Sequence, residues 1–105
     1  MNRKRVVVLA RAGAARDRTE AAIVQAGADV AALLDPATAS EGEVRAAAPD
    51  VLLVILDAQV EQALDRFDGV LGDPALEILF DDADVAAKRD AWETARWARH
   101  LQAKL

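Results

Sequence analysis

The sequence contains no cysteine, so disulfides and thiolate chemistry are excluded, and the chain fits a reducing compartment. Serine and histidine occur once each, as Ser40 and His100. A Ser-His-Asp arrangement within these residues is not credible. Ser40 stands three residues before Glu43, as a helix cap does, and His100 sits near a helix C-terminus, where positive charge suits the dipole. No apolar run is long enough to span a bilayer. The basic opening, Met1-Asn2-Arg3-Lys4-Arg5, leads into an apolar stretch that breaks at Arg11, which reads as a strand and not as a signal peptide. A cytoplasmic location without membrane insertion is expected. The G-x-G-x-x-G fingerprint is absent too. Arg11-Ala12-Gly13-Ala14-Ala15 places one glycine at a helix start, which attracts an anion but does not specify a dinucleotide.

What is present bounds a single domain of 105 residues, 53% apolar with much of that alanine, and a net charge of −5. The charge is segregated. Residues 1–18 carry six basic groups and one acid, residues 19–82 carry fourteen acids against Arg45 and Arg66, and residues 83–105 carry five basic groups and three acids. An acidic middle does not neutralise phosphates, so nucleic acid is not an expected partner. The basic start reads as a solvated strand opening.

Along the chain, Val6-Val7-Val8-Leu9-Ala10 is a short β-branched run, hence a buried first strand. A helix over 19–26, starting near Ala14 or Ala15, ends at Gly27 in a left-handed cap, with Ala22, Ile23 and Ala26 toward the sheet. A weaker strand over 28–34 closes at Asp35-Pro36. Ser40 and Glu43 start a short helix through Ala48. Pro49-Asp50 leads into Val51-Leu52-Leu53-Val54-Ile55-Leu56, a strand buried on both faces. Helical periodicity marks 59–71 through Val60, Ala63, Leu64, Phe67, Val70 and Leu71. A fourth strand covers 76–80, and Asp81 or Asp82 caps a long final helix from about Ala83 to near the end. Strand-helix alternation with short connections requires right-handed crossovers and a parallel sheet. The expectation is a three-layer α/β domain with four parallel strands in order 2-1-3-4.

Function in such sheets sits at the carboxyl ends of the strands, where Asp57 closes the third. The phrase Pro49-Asp50-Val51-Leu52-Leu53-Val54-Ile55-Leu56-Asp57 resembles the third strand of two-component receiver domains. The resemblance implies a receiver- or flavodoxin-like fold of five strands, with Asp57 in the phosphoacceptor position. Receivers also carry an acid pair after the first strand to hold Mg²⁺, a hydroxyl residue ending the fourth strand and a lysine ending the fifth. Here Arg11-Ala12-Gly13 follows the first strand, Phe80-Asp81 ends the fourth, no fifth strand is visible, and Lys88 lies inside a helix. Without a metal, Asp57 meets an incoming phosphoryl group with uncompensated repulsion. Asp57 is therefore read as an inactive phosphoacceptor equivalent in a degenerate receiver.

The segment Leu79-Phe80-Asp81-Asp82-Ala83-Asp84-Val85-Ala86-Ala87, with Trp92 through Leu105, resembles the front of CheB-type chemotaxis proteins of the type IV pilus chemosensory group. That resemblance implies a receiver-like front domain followed by a protein-glutamate methylesterase domain, which would lie beyond Leu105. The expected role is a non-catalytic regulatory and docking domain in chemosensory signal transduction, acting on an attached esterase. The alternatives are a working phosphoacceptor response regulator using Asp57 and a free-standing interaction adaptor. No enzymatic activity and no cofactor are expected of these residues. The expected partners are proteins, either the chain's own esterase domain or chemosensory proteins.

Three surfaces complete the expectations. Asp57, Asp81 and Asp82 could converge and hold a hard cation weakly, or Asp81 or Asp82 could simply cap the last helix. Trp92 and Trp97 lie about 140° apart on that helix, on opposite flanks of a face made by Ala91, Ala95, Ala98, Leu101 and Leu105, so at least one is partly exposed. An exposed Trp92 ringed by Lys88, Arg96 and Arg99 fits an interface as well as a helix covering its own sheet. Finally, the strand Leu76-Glu77-Ile78-Leu79-Phe80 would form an apolar edge open to pairing, which predicts a homodimer.

Overall fold

The computed structural model describes residues 3–105, and the two β-branched runs lie at its centre. β1 (Arg5–Leu9), β2 (Asp29–Leu34), β3 (Val51–Leu56) and β4 (Glu77–Asp82) form one all-parallel sheet in the order β2-β1-β3-β4. This is the expected flavodoxin-like topology. Residues 6–10 and 51–55 have almost no solvent exposure, because the sheet is covered on both faces.

Alternation along the strands separates two cores. Val6, Val8, Val51, Leu53 and Ile55 face α1 (Ala14–Gln25), which contributes Ala22, Ile23 and Ala26 as its spacing requires. Val7, Leu9, Leu52 and Val54 face the opposite layer, with Val44 from α2 (Glu41–Ala46) and Val60, Phe67 and Val70 from the segment after β3. Burying a side chain of this size contributes roughly 1.5–3 kcal/mol.

Gly27 ends α1 at φ 85, in the left-handed region that only glycine adopts without strain. Ser40 Oγ accepts from the Glu43 amide at 3.3 Å and caps α2. α2 stops at Ala46, earlier than expected, and Ala48 takes φ 50 without being glycine. Arg5 holds this turn: its guanidinium donates to the Ala47 carbonyl at 2.7 Å and 3.2 Å and to the Ala48 carbonyl at 3.2 Å.

Two expected helices are interrupted. The 59–71 segment is α3 (Ala58–Ala63), a 3₁₀ turn (Leu64–Phe67) and α4 (Asp68–Leu71). The Gly69 amide, which would have continued the helical ladder, donates instead to Glu41 Oε1 at 3.0 Å. The final helix is likewise two: α5 (Ala83–Lys88) and α6 (Ala91–Lys104). Arg89 leaves the helical region at ψ 127, and Asp90 restarts the helix by accepting from the Glu93 amide at 2.7 Å.

The helices between strands all lie where right-handed crossovers require them, with α1 on one face and α2, α3 and α4 on the other. α5 and α6 return to the face of α1, against which both pack. β2 and β4 are the two edges of the sheet.

Candidate functional site

The carboxyl ends of β1 and β3 meet at Asp57, which follows β3 and caps α3. Its Oδ1 accepts from the Val60 amide at 2.8 Å, and its Oδ2 accepts from Arg11 Nε at 2.7 Å. Burial opposes ionisation of this carboxyl. The Val60 amide, the hydrogen bond and charge of Arg11, and the Gln59 amide together outweigh burial and hold the pKa below the ordinary aspartate value. Asp57 is thus a carboxylate with both oxygens engaged.

Arg11 is the residue that the sequence pattern recorded only as a missing acid. It leaves the end of β1 just before Gly13, whose φ of 144 turns the chain into α1. A cleft of about 200 Å³ opens beside this pair, lined among others by Arg11, Gly13, Ala14, Asp57 and Asp84. On the other side of Asp57, a hollow is rimmed by Glu61, Asp82 and Asp84. An anion approaching from that side meets like charge.

The three aspartates considered for a cation do not gather. Strand alternation sends Asp81 toward the α1 face and Asp82 toward the other. Asp81 receives Arg89 through two bonds, Nη1 to Oδ2 at 2.6 Å and Nη2 to Oδ1 at 3.0 Å. Asp82 Oδ1 caps α5, accepting from the Asp84 and Val85 amides at 2.9 Å and 3.1 Å. Among the described residues no group of three His, Cys, Asp or Glu side chains could hold a metal ion.

Arg89 is the second residue that spacing did not single out. Its guanidinium lies 4.8 Å from the Trp97 ring centre while it bonds Asp81, so one side chain ties the end of β4 to α6. The Asp81 and Arg89 side chains are only 11% and 12% exposed. Trp97 is half-buried and packs against the α1-side core, whereas Trp92 is 64% exposed with Arg96 at 5.6 Å from its ring. Ala98 and Leu101 are buried as the helix face requires, but Ala91, at the helix start, is exposed.

The β4 edge is open. Leu76 and Ile78 pack partly against the α2–α4 side, and Leu79 partly against the α6 side. Phe80 is 56% exposed. α6 lies over the sheet face and leaves the strand's outer side free. His100 is exposed and lines the hollow between α6 and β4 with Leu79, Phe80 and Lys104, where no carboxylate or hydroxyl side chain joins it. No helix among the described residues is long and apolar enough to cross a membrane.

No family model, no curated protein and no solved structure matches this chain.

Proposed function

We propose that this domain is a non-catalytic pseudo-receiver that works by docking to protein partners. In this reading it belongs to cytoplasmic chemosensory signal transduction of the type IV pilus group, where it controls a protein-glutamate methylesterase attached beyond Leu105. The observation that carries the proposal is the Arg11–Asp57 pair. A guanidinium fills the space beside Asp57 where phosphoryl transfer needs a divalent cation, and the second carboxylate oxygen is spent on the Val60 amide. The flavodoxin-like sheet with Asp57 after its third parallel strand supports the receiver comparison.

The competing reading is a working phosphoacceptor. Titration with beryllofluoride and Mg²⁺, watched by amide NMR, separates the two. The expected outcome is no saturable shift at Asp57, Val60 or Gly13. A saturable shift lost in Asp57→Asn would establish the phosphoacceptor reading instead. For the regulatory role, methylesterase turnover in the parent chain is expected to change when residues 1–105 are deleted and to be indifferent to phosphodonor. Identical turnover with and without the domain would overturn the regulatory role, and a reading frame that encodes no esterase beyond codon 105 would favour the free-standing adaptor.

A further inference from the structure

The outer side of β4 has a backbone pattern specific enough to name what it pairs with. The Glu77 amide donates inward to the Asp50 carbonyl at 3.3 Å, which turns the backbone groups of Glu77, Leu79 and Asp81 toward β3. Alternation then points those of Ile78, Phe80 and Asp82 outward. The Asp82 amide is already taken by Asp81 Oδ1 at 2.9 Å. Ile78 and Phe80 are left presenting both N–H and C=O to the open edge.

We propose that this strip pairs with the same strip of a second copy of the chain, antiparallel, about a two-fold axis passing through Leu79. The axis sets Ile78 opposite Phe80 of the second copy, and the reverse, so that the four free groups on each chain complete four hydrogen bonds. Directly opposed residues share a face, so the exposed Phe80 ring gains an apolar neighbour in Ile78 of the second copy. Leu79 meets its own copy on the other face, below Trp97 and Leu101 of α6.

The alternative two-fold, through Phe80, is disfavoured. It would oppose Ile78 with Asp82 and Leu79 with Asp81, and it would need the Asp82 amide that Asp81 occupies.

Charge does not favour the Leu79 axis: it sets Glu77 of the second copy opposite Asp81, a like-charge pair that Arg89, already bonded to Asp81, weakens. α6 runs against β4, with Trp97 toward Arg89 at one end and Lys104 toward the other. Asp81 of the second copy therefore arrives at the Lys104 end. A parallel strand entering from α6 is not a rival occupant. α6 lies on the α1 face, so such a strand would close a left-handed crossover. An edge this short buries less than the roughly 1,200 Å² of a standard interface, so the dimer is weak and concentration-dependent.

The inference rests on the edge alone and stands or falls separately from any phosphoacceptor result. Sedimentation equilibrium across the micromolar range is expected to show monomer and dimer. Phe80→Lys, at an exposed position, should abolish the dimer with an unchanged circular dichroism spectrum. The chain has no cysteine, so single-cysteine variants report the register cleanly. Leu79→Cys is expected to form a disulfide-linked dimer at least about tenfold faster than Phe80→Cys, because only Leu79 faces itself. A mixture of Ile78→Cys and Phe80→Cys proteins should cross-link as a heterodimer in preference to either homodimer. A monomer at every concentration, a dimer indifferent to Phe80→Lys, or preferential Phe80→Cys self-linkage would each overturn the proposal.

Discussion

Arg11 Nε stands 2.7 Å from Asp57 Oδ2, joining the ends of two adjacent parallel strands across 46 positions of sequence. The pair engages Asp57 Oδ2, and the Val60 amide engages Oδ1. Acetyl phosphate with Mg²⁺ is therefore expected to leave the intact mass unchanged. A gain of one phosphoryl group that Asp57→Asn abolishes would defeat this expectation.

The same pair has a pH signature. The Asp57 pKa is lowered in the folded state, so its stabilising contribution is complete above the unfolded value of about 3.9 and fades as pH falls through the folded value. Urea unfolding between neutral and acid pH should show wild type losing more stability than Asp57→Asn below about pH 4. Parallel curves for the two proteins would remove Asp57 from the acid response.

Arg89→Ala removes the partner of a nearly buried Asp81 and the cation over Trp97. Loss of one member of a buried pair costs about 3–5 kcal/mol. Arg89→Lys should recover only part of this, because an ammonium cannot make both bonds to Asp81 and stack on the indole. Chemical denaturation of the three proteins measures the order.

Trp92→Ala should behave oppositely to a core truncation. The side chain is 64% exposed, so unfolding free energy should change by less than about 1 kcal/mol, whereas partner binding should weaken by about 2 kcal/mol or more if Trp92 anchors an interface. A stability loss of roughly 3 kcal/mol would place the indole in the core.

Ala48→Gly should stabilise the domain. Ala48 sits at φ 50, where a Cβ is strained, and glycine relieves that at the expense of unfolded-state entropy. The expected gain in unfolding free energy is up to about 1 kcal/mol. A loss would mean that the Arg5 bonds to the Ala47 and Ala48 carbonyls already shape the turn around the alanine.

Strand positions and order were legible because Val6–Ala10 and residues 51–56 are apolar runs with no competing period, bounded by Pro49-Asp50 and Asp57. Gly27 and Ser40 announced their caps by residue type. The break at Arg89-Asp90 was written in the sequence as Asp90 with Glu93 three residues on, but the helical spacing on either side masked it. The interruption at Leu64–Phe67 was not legible, and neither was the bond beyond it from the Gly69 amide to Glu41, which reaches across from another helix. At the site, Asp57 was found from its strand. Arg11 and Arg89 were missed because an ion pair between distant residues has no spacing to read. The clustering of Asp57, Asp81 and Asp82 failed because adjacent residues on a strand point apart.

Leu105 and Arg3-Lys4 line one hollow together with Gly27, at the end of the sheet remote from Asp57. Grafted into a loop of a host protein, residues 3–105 would enter and leave through one doorway, and the host's loop would need to open by only a few residues. Joining those ends and cutting at Gly72-Asp73 should give a circular permutant with the same far-ultraviolet spectrum. The Asp57 end would then face away from whatever carries the domain.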